Sequence, residues 1–317
     1  MDISVVVPLY NEKESLPVLF EWIQRVMREN SFTYEVVFVD DGSTDGSWNV
    51  IEDLKSRFPE VVRGIKFRHN YGKSPALHCG FQAVQGDVVI TMDADLQDSP
   101  DEIPALYAMI KEEGYDVVSG WKKKRYDSKL TKNIPSKIYN AVARKVTGLK
   151  LHDMNCGLKS YRNEVVKNVE IYGDMHRYIP YLAKNAGFTR IGEKVVEHKK
   201  RQFGTTKFGM NRFVNGYLDL MTAWFMARFG KKPMHFFGLV GSLMFFVGLI
   251  MVIIVGANKL IALWSHIAAP LVTNSPYFYI ALVAMILGTQ LFLTGFVAEL
   301  VTRNATDRNK YQIDREI

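Results

Sequence analysis

Cysteine is scarce in this sequence: two occur in 317 residues, Cys79 and Cys156. They lie in unrelated segments without the spacing of metal ligands, so the sequence predicts neither a disulfide nor a cysteine-based metal site. A basic N-terminal leader is also missing, because "MDISVVVPLYNE" carries no lysine or arginine and its apolar run is broken by Pro8. Such a start is typical of a β-strand and not of a signal peptide, and we expect the N-terminal part of the chain to stay in the cytosol.

Charge is missing from two long segments near the end of the sequence, Phe236 to Ala257 and Leu271 to Ala298. At a rise of about 1.5 Å per residue, a helix of about 20 apolar residues spans the hydrocarbon core of a bilayer. Buried helices of a soluble protein are the alternative, but helices of that length rarely lack every charge. The two segments therefore predict a transmembrane hairpin.

The charges that flank the hairpin predict its orientation. Lysine and arginine are concentrated before the first segment and after the second, whereas the connection holds only Lys259. The flanking residues are Lys231, Lys232, Arg303, Arg308, Lys310 and Arg315. Because positive residues favour the cytosolic side, we expect a protein of the inner or plasma membrane with both termini in the cytoplasm. The net charge of +7 suits anionic lipid headgroups, and the sequence contains no nucleic-acid-binding motif.

Hydropathy and composition divide the chain into four parts. We predict a cytosolic α/β domain over residues 1–208, an interfacial helix over 209–232, two transmembrane helices over 233–302 and a cytosolic tail over 303–317. The interfacial helix is predicted because apolar residues recur at helical spacing just before the first span. This stripe comprises Phe213, Tyr217, Leu220, Met221, Trp224 and Phe225. A helix packed on the α/β domain is the alternative.

Short β-rich runs alternate with helical patterns in the first part of the chain. The runs "ISVVVPL", "YEVVFVD", "VVRGIKF", "DVVITMD" and "DVVSG" are typical of strands buried on both faces of a parallel sheet with crossover helices. In such open α/β sheets, ligands bind outside the carboxyl ends of the strands. No dinucleotide-binding glycine pattern follows the first strand, and Phe67 stands where a phosphate-binding loop needs its first glycine.

Three carboxylates, Asp93, Asp95 and Asp98, follow the fourth of these runs in "ITMDADLQDSPDEIP". No lysine or arginine is near them in the sequence, so we expect either a bound cation or a solvated turn. Asp93 and Asp95, spaced as D-x-D at a strand end, can hold one hard cation such as Mg²⁺ or Mn²⁺, and Gln97 can add a neutral oxygen. Three acids are predicted to begin the next helix, where they suit its dipole: Asp98, Asp101 and Glu102.

The second acidic loop, "DDGSTD", allows two functions at once. Asp41 stands just past a predicted strand, where it could accept hydrogen bonds from a nucleobase. Asp45 is predicted to be the N-cap of the helix "GSWNVIEDLKSRF", and Gly42 and Ser43 are typical turn residues.

Five motifs in order give the sequence a specific resemblance. "VVVPLYNE", "DDGSTD", "MDADLQDSPDEIP", "LHDMNCGLKSYR" and "RQFGTTKFG", followed by two predicted spans, resemble the polyprenyl-phosphate glycosyltransferases. These are relatives of dolichyl-phosphate mannose synthase and of the bacterial enzymes that charge undecaprenyl phosphate with glucose. The resemblance implies a GT-A (Rossmann-like) nucleotide-sugar domain and inverting transfer of a hexose-type sugar from a UDP- or GDP-linked donor to a polyprenyl phosphate. It also implies a homo-oligomer, a tetramer, and a product used in cell envelope glycans.

The resemblance further implies roles for residues in the strand-end loops. By the family's pattern, Mg²⁺ or Mn²⁺ is held on the diphosphate by Asp93, Asp95 and Gln97. The nucleotide-binding set is Pro8, Tyr10, Glu12, Asp41, Lys73 and Asp93. A surface lysine is the alternative for Lys73. Asp95 counts as catalytic, because a cation on the leaving diphosphate stabilises its developing charge without proton transfer.

Asp153, in "LHDMNCGLKSYR", falls on the position of the acid usually proposed as catalytic base in such enzymes. The acceptor is a phosphate monoester whose second pKa is about 6, so it is already largely ionised at neutral pH and hardly needs a base. Asp153 is therefore expected either to act as base, to orient the acceptor, or to touch the metal; a turn aspartate is the alternative.

Two basic stretches are predicted to bind the acceptor phosphate, "KKKRYDSKLTKNIPSK", which begins at Lys122, and "HKKRQFGTTKFG". The residues implied by the resemblance are Arg125, Lys132, Ser136, Arg201 and Lys207. Lys132 stands where the family often has a second arginine, and Thr206 replaces the commoner serine of R-x-x-G-x-[ST]-K. A solvated charged face is the alternative for both stretches. His176 and Arg177 either face the acceptor groove or start a helix.

Two other functions fit the same loops. A processive polysaccharide synthase shares the nucleotide-sugar domain, but it carries Q-x-x-R-W, and none of the five tryptophans here follows an arginine. A non-catalytic membrane scaffold would bind a nucleotide sugar without turnover. The presence of Asp93, Asp95 and Asp153 argues against such a loss of catalysis.

Overall fold

The computed structural model describes residues 1–123, 134–171, 173, 175–199, 221–222, 224–225, 228–229, 233–267, 271–304 and 313–316. The chain forms two compact units, Met1–Trp224 together with Arg308–Ile317, and Phe225–Asp307.

Within the described residues, the first unit is built from eight strands and seven α-helices. The strands are β1 Ile3–Leu9, β2 Tyr34–Asp40, β3 Val62–Phe67, β4 Val88–Thr91, β5 Val117–Trp121, β6 Lys159–Arg162, β7 Ile191–Val195 and β8 Ile313–Glu316. The helices are α1 Ser15–Glu29, α2 Ser47–Arg57, α3 Lys73–Ala83, α4 Ile103–Lys111, α5 Ile134–Thr147, α6 Asn163–Asn168 and α7 Ile179–Asn185. Short 3₁₀ turns, Pro100–Glu102 and Met175–Tyr178, lead into α4 and α7.

The strands form one mixed sheet in the order β7-β5-β6-β4-β1-β2-β3-β8. The predicted parallel arrangement is confirmed for β1 with β2 and β4, and for β2 with β3. The sheet as a whole is nevertheless mixed, because β6 and β8, which the sequence did not predict as strands, run antiparallel to their neighbours. Both are four residues long and mostly polar, so they lack the apolar run that identifies the buried strands.

The core lies where the central strands meet the helices. All seven residues of β1 are buried, as expected for a strand covered on both faces. Helix α1 buries Leu16, Leu19, Phe20, Ile23 and Met27, a stripe at the spacing of one helical face. Burying these side chains between sheet and helix fixes the start of α1, and therefore also fixes the loop that joins it to β1.

The C-terminal strand β8 pairs with the edge strand β3, with Glu316 opposite Ile65. Arg63 of β3 contacts Glu316 at 3.6 Å and the buried Glu35 of β2 at 3.2 Å. The sequence predicted only a cytosolic tail here, because "IDRE" carries no strand pattern. The tail thus returns to the sheet that the N-terminal strands build.

The second unit contains two long helices, α8 Pro233–Trp264 and α9 Pro276–Asn304, and both are long and apolar enough to cross a membrane. Large apolar side chains on their outer faces are exposed, among them Leu239 at 72% and Ile250 at 56%. Such a surface suits lipid and not water. Lys259, predicted to lie in the connection, instead lies inside α8, because that helix continues to Trp264.

Glycines let α8 and α9 approach closely. A Cβ placed on Gly241 would lie 2.6 Å from the carbonyl oxygen of Gly288, and one on Gly288 would lie 2.6 Å from that of Gly241. Gly248 meets the carbonyl oxygen of Ala281 in the same way. Small residues at such crossings bring the backbones together, since helices in lipid associate mainly through close packing.

We expect Gly288→Leu to destabilise the hairpin, because its side chain would overlap the backbone of Gly241; overpacking of this kind costs about 1–3 kcal/mol. Gly256→Leu is the matched control, since no atom lies within 4 Å of a Cβ there. Thermal unfolding of the detergent-solubilised protein should give a lower midpoint for the first variant only. Equal midpoints would contradict the close contact.

Candidate active site

Four parallel strands end at one edge of the sheet, and their following loops meet there. Leu9 of β1 lies opposite Asp40 of β2, Asp40 lies opposite Lys66 of β3, and Val6 of β1 lies opposite Thr91 of β4. The register therefore confirms that the loops after β1 to β4 lie at one carboxyl edge of the sheet.

Asp41 is buried, with 5% of its surface exposed, and it holds the loop after β3. Its two carboxylate oxygens accept hydrogen bonds from the backbone N–H groups of Tyr71, at 2.7 Å, and Gly72, at 2.9 Å. Burial raises the pKa of Asp41, and these two hydrogen bonds oppose the rise. A carboxylate has about four acceptor positions, so the predicted contact to a nucleobase stays compatible with this role.

The loops after β1 and β2 are tied together by side chains. Asn11 donates its backbone N–H to Ser43 Oγ at 2.8 Å, and its own Oδ1 accepts from the backbone N–H of Thr44 at 2.8 Å. Asn11 has a φ of 55°, a left-handed conformation that asparagine tolerates. The predicted nucleotide ligands Tyr10 and Glu12 flank this residue and are partly exposed, whereas Pro8 lies buried within β1.

The predicted N-cap of α2 is wrong by one residue. Gly46, with a φ of 91°, occupies the cap position, because a turn of that hand suits glycine. Asp45 still satisfies the first free donor of the helix: its Oδ1 accepts from the backbone N–H of Ser47 at 2.9 Å. Its other oxygen accepts from the N–H of Lys13 at 3.1 Å, which joins α2 to the first loop.

Asp93 and Asp95 follow β4, and Leu96 turns the chain sharply between Asp95 and Gln97. Leu96 has a φ of 59°, which is rare for a side chain of that size, and its side chain is fully buried. The backbone N–H of Gln97 donates to Asp95 Oδ1 at 3.2 Å. The buried side chain of Leu96 thus anchors the turn, and Asp95 and Gln97 lie on either side of this residue.

Gly157 brings the motif that carries Asp153 against the D-x-D motif. A Cβ at this position would lie 2.5 Å from Asp93 Oδ2 and 2.7 Å from Asp93 Cγ, so only glycine leaves room for the carboxylate. Two stretches that the sequence separates by about sixty residues therefore share one contact. The structure therefore brings Asp93 of the D-x-D motif next to the loop that carries Asp153.

Lysines from distant segments neutralise the acids, which corrects the expectation of a cluster without cations. Lys73 forms an ion pair with Asp93 Oδ1, and Lys122 contacts Asp98 Oδ1 at 2.6 Å. Burial alone would raise the pKa of Asp93, but the charges of Lys73 and Lys122 hold it well below its ordinary range. Lys122 is only 12% exposed and keeps its proton despite burial, because the charge of Asp98 raises its pKa.

This arrangement changes two predicted assignments. Asp98 does not begin a helix: it is fully buried beside Lys122, whereas Asp101 and Glu102 lie in the 3₁₀ turn before α4 as predicted. Lys122 belongs to this buried pair and not to an exposed acceptor cluster. Ion pairs between segments far apart in sequence leave no local pattern, so the sequence could not indicate either one.

Asp153 is buried, with 2% of its surface exposed, and its loop is held from two sides. Glu193 of β7 accepts from the backbone N–H groups of His152, at 2.7 Å, and Asp153, at 3.0 Å. From within, the ammonium group of Lys159 donates to the carbonyl oxygens of Cys156 and, at 3.4 Å, Met154. The sequence did not indicate either anchor: Glu193 lies in β7, which carries no motif, and Lys159 lies within "LHDMNCGLKSYR" at a position to which the resemblance gives no role.

His176 lies beside Lys73 and at a helix start, which was one of its two predicted positions. It belongs to the 3₁₀ turn before α7, and Ser74 Oγ lies 3.0 Å from both its Nδ1 and its backbone nitrogen. Burial and the nearby charge of Lys73 lower its pKa well below the ordinary value. His176 is therefore neutral at physiological pH.

Most of the predicted acceptor-phosphate residues lie outside the described residues: Arg125, Lys132, Arg201 and Lys207. Ser136 lies in α5, without a described side chain. Of the second basic stretch, only His198 and Lys199 lie in the described residues, and Lys199 donates its backbone N–H to the carbonyl oxygen of Gln97 at 2.9 Å.

The donor set around Asp93 suits a hard divalent cation. In the ranges that the structure describes, no three His, Cys, Asp or Glu side chains converge as metal ligands. Two carboxylates and an amide would leave most of an octahedral shell to water and phosphate oxygens, which is how Mg²⁺ is commonly bound at phosphate sites. Asp93, Asp95 and Gln97 have the oxygen donors that such an ion takes, and their role as its ligands stays a prediction.

Residues 4–170 match the model of the family described as glycosyl transferase family 2. A dodecaprenyl-phosphate galacturonate synthase of Rhizobium johnstonii is 33% identical, covering 96% of this chain and 88% of that protein. An undecaprenyl-phosphate 4-deoxy-4-formamido-L-arabinose transferase of Proteus mirabilis is also 33% identical, covering 99% of this chain and 94% of its own.

Among solved structures, glucosyl-3-phosphoglycerate synthase from Mycobacterium tuberculosis, in complex with Mn²⁺, UDP-glucose and glycerol 3-phosphate, has a TM-score of 0.51 at 17% identity. The match covers 71% of this chain and 79% of that one. At this identity the likeness concerns the fold alone.

We expect Glu193→Ala to loosen the loop that carries Asp153, because the backbone N–H groups of His152 and Asp153 lose their acceptor. A hydrogen bond to a charged group is worth about 1.5–3 kcal/mol, so hydrogen exchange of these two amides should accelerate about 10- to 100-fold. Glu197→Ala, at an exposed glutamate just beyond the same strand, is the control. Unchanged exchange in Glu193→Ala would show that Glu193 does not hold the loop.

Proposed function

The chain belongs to glycosyl transferase family 2, and on that premise we propose that it transfers a hexose-type sugar from a nucleotide diphosphate sugar to a polyprenyl phosphate. The products are a β-linked lipid phosphosugar and a nucleotide diphosphate. Relatives that match nearly the whole chain carry polyprenyl-phosphate transfer in their names. The GT-A type of α/β fold agrees with the solved glycosyltransferase structures.

One structural observation carries the proposal: Asp93 packs on Gly157 at the carboxyl edge of the sheet. This contact joins the D-x-D motif, proposed for the donor diphosphate, to the loop that carries Asp153, proposed for the acceptor. A transferase needs donor and acceptor side by side, because holding both in the right geometry supplies much of the rate acceleration. A module that only bound a nucleotide sugar would not need the second loop there.

The donor would lie across the loops that follow β1 to β4. In this proposal Pro8, Tyr10, Glu12, Asp41 and Lys73 contact the nucleotide. Asp93, Asp95 and Gln97 would hold Mg²⁺ or Mn²⁺, which would stabilise the charge developing on the leaving diphosphate. A structural neighbour that binds Mn²⁺ with UDP-glucose supports the use of a divalent cation in this fold.

In the transfer step, a phosphate oxygen of the acceptor attacks the anomeric carbon from the face opposite the diphosphate. A new oxygen–carbon bond forms while the bond to the diphosphate oxygen breaks, which inverts the configuration. Because the acceptor phosphate is already largely ionised near neutral pH, Asp153 is proposed to orient it and not to remove a proton. Its burial and its two-sided anchoring support a positioning role.

The acceptor phosphate is proposed to bind Arg125, Lys132, Ser136, Arg201 and Lys207. Lys199, near the start of the second basic stretch, is hydrogen-bonded through its backbone to Gln97, which supports a position of that stretch near the D-x-D loop. Arginine suits this role, because its planar group binds phosphate through two parallel hydrogen bonds.

The protein is proposed to be anchored in the inner or plasma membrane. The proposed division is a catalytic domain over 1–208, an interfacial helix over 209–232, two membrane helices over 233–302 and a tail over 303–317. The pairing of β8 with β3 supports an even number of crossings, since one sheet contains strands from both ends of the chain. The positive flanks of the hairpin favour the cytoplasmic side for both termini.

Transfer can be tested with the purified full-length protein, undecaprenyl phosphate, Mg²⁺ or Mn²⁺ and a panel of labelled nucleotide sugars. The panel should include the nucleotide-linked forms of galacturonate and 4-deoxy-4-formamido-L-arabinose beside neutral hexoses, because these sugars occur in the names of the relatives. We expect label from at least one donor in the lipid phase.

Asp95→Asn should lower the transfer rate at least about 100-fold, since a metal clamp supplies several kcal/mol of transition-state stabilisation. Asp53→Asn, at an exposed carboxylate on α2, is the control and should retain the wild-type rate. Transfer at the wild-type rate in Asp95→Asn would refute the metal assignment. Nucleotide binding without any transfer would instead support a scaffold.

Tags at the two ends of the chain test the topology. In membrane vesicles turned inside out, a protease added outside should remove both an N-terminal and a C-terminal tag. In intact spheroplasts both tags should survive, because both termini are expected in the cytoplasm. Opposite accessibility of the two tags would exclude the hairpin.

A further inference from the structure

Lys73 occupies a position from which it can reach two partners. It is the first residue of α3, directly after Gly72, and its ammonium group pairs with Asp93 Oδ1. The side chains of Lys73 and Asp93 are 31% and 34% exposed, so the pair is open to solvent on one side. A lysine carries its charge on a flexible four-carbon stem and can therefore change partners without moving the backbone.

The surroundings of Asp93 leave few ways to approach its carboxylate. One oxygen faces Lys73, and the other lies against Gly157, where even a Cβ would come within 2.5 Å. Lys122 also contributes positive charge, but its ammonium group is paired with Asp98 at 2.6 Å. His176, which packs on Ser74 beside Lys73, is neutral. Lys73 is thus the cation in contact with Asp93, within the part of the chain that the structure describes.

A divalent cation and Lys73 compete for this carboxylate. The cation would find one carboxylate oxygen of Asp93 already paired with Lys73, and it would be repelled by that ammonium group a few ångströms away. A nucleotide diphosphate carries more negative charge than one carboxylate and arrives next to the same ammonium group. It can therefore draw Lys73 away and leave Asp93 to the metal.

We propose that Lys73 is an internal counterion of Asp93. Its ammonium group pairs with this metal ligand in the empty site and moves to the diphosphate when the nucleotide binds. The inference rests on the proposed function, because it takes Asp93 as a metal ligand. Its consequence is a coupling: nucleotide and metal each raise the affinity for the other by the same factor, as linkage requires. The charge of Asp93 is thus neutralised by Lys73 before the substrate enters and by the metal afterwards.

Binding of Mn²⁺, followed by the electron paramagnetic resonance signal of the free ion, tests the proposal without any turnover. The full-length protein is titrated with Mn²⁺ alone, then with Mn²⁺ in the presence of UDP or of GDP. Lys73→Met removes the counterion and should bind Mn²⁺ alone at least about 5-fold more tightly than wild type. The gain in Mn²⁺ affinity caused by the nucleotide should shrink in this variant, since the cost of displacing Lys73 has gone.

Two variants serve as matched controls. Lys73→Arg keeps the charge and should bind Mn²⁺ like wild type. Lys13→Met removes the same charge from an exposed lysine in the loop after β1, at the same edge of the sheet, and should change the affinity less than 2-fold. Thermal unfolding of each variant checks that the fold is retained.

The outcomes separate this inference from the proposed function. If Asp93→Asn abolishes Mn²⁺ binding but Lys73→Met binds Mn²⁺ no more tightly than wild type, the metal assignment stands and the counterion is refuted. If Asp93→Asn binds Mn²⁺ as well as wild type does, the metal assignment itself fails, and the counterion fails with it. If Lys13→Met binds Mn²⁺ as tightly as Lys73→Met does, the gain in affinity comes from the lower net charge and not from the contact with Asp93. That result would also overturn the proposal.

Discussion

Carboxylates are costly to bury unless cations or N–H donors face them, and several acids lie buried or half-buried at the carboxyl edge of this sheet. Each is satisfied by a different segment of the chain. Asp41 accepts two backbone hydrogen bonds from the loop after β3, Asp98 pairs with Lys122 after β5, and Glu193 accepts from the loop that carries Asp153. The need to satisfy buried charge therefore joins the loops of the site to one another through hydrogen bonds and ion pairs.

That constraint also explains how a site built on loops can be ordered before substrate arrives. Catalysis by charge stabilisation depends on groups already aimed at the place where charge develops, so that little reorganisation is needed during the reaction. Gly157 lets the two central loops touch, and Leu96 fixes the turn between Asp95 and Gln97 by burying its side chain. The acids that hold the loops and those proposed to act on substrate are largely different residues. Asp41 and Asp93 are the exceptions: Asp41 holds the loop after β3 and is a proposed nucleotide ligand, and Asp93 faces an internal lysine and is a proposed metal ligand.

The sequence predicts the features that depend on local pattern. The five Val- and Ile-rich runs predict β1 to β5, and the D-x-D spacing places Asp93 and Asp95 together after a strand. What it could not predict depends on partners distant in sequence: β6 and β8 are too short and polar to stand out, and they become strands because neighbouring edges need partners. The pairing of Lys122 with Asp98 and the anchoring by Glu193 arise in the same way. The displaced cap at Gly46 is a smaller error, because Asp45 and Gly46 are both typical of helix starts.

Strand β8 also restricts what the apolar helices can do. Ile313–Glu316 adds to the edge strand β3 of a sheet whose other strands all precede α8. If α8 crosses a bilayer, the chain must cross back before Ile313, and α9 is the described helix of suitable length. A single span would anchor the domain equally well but would leave β8 on the wrong side of the membrane. The glycine contacts between α8 and α9 then acquire a reason beyond anchoring, because two helices that return the chain to one sheet are best inserted as a closely packed pair.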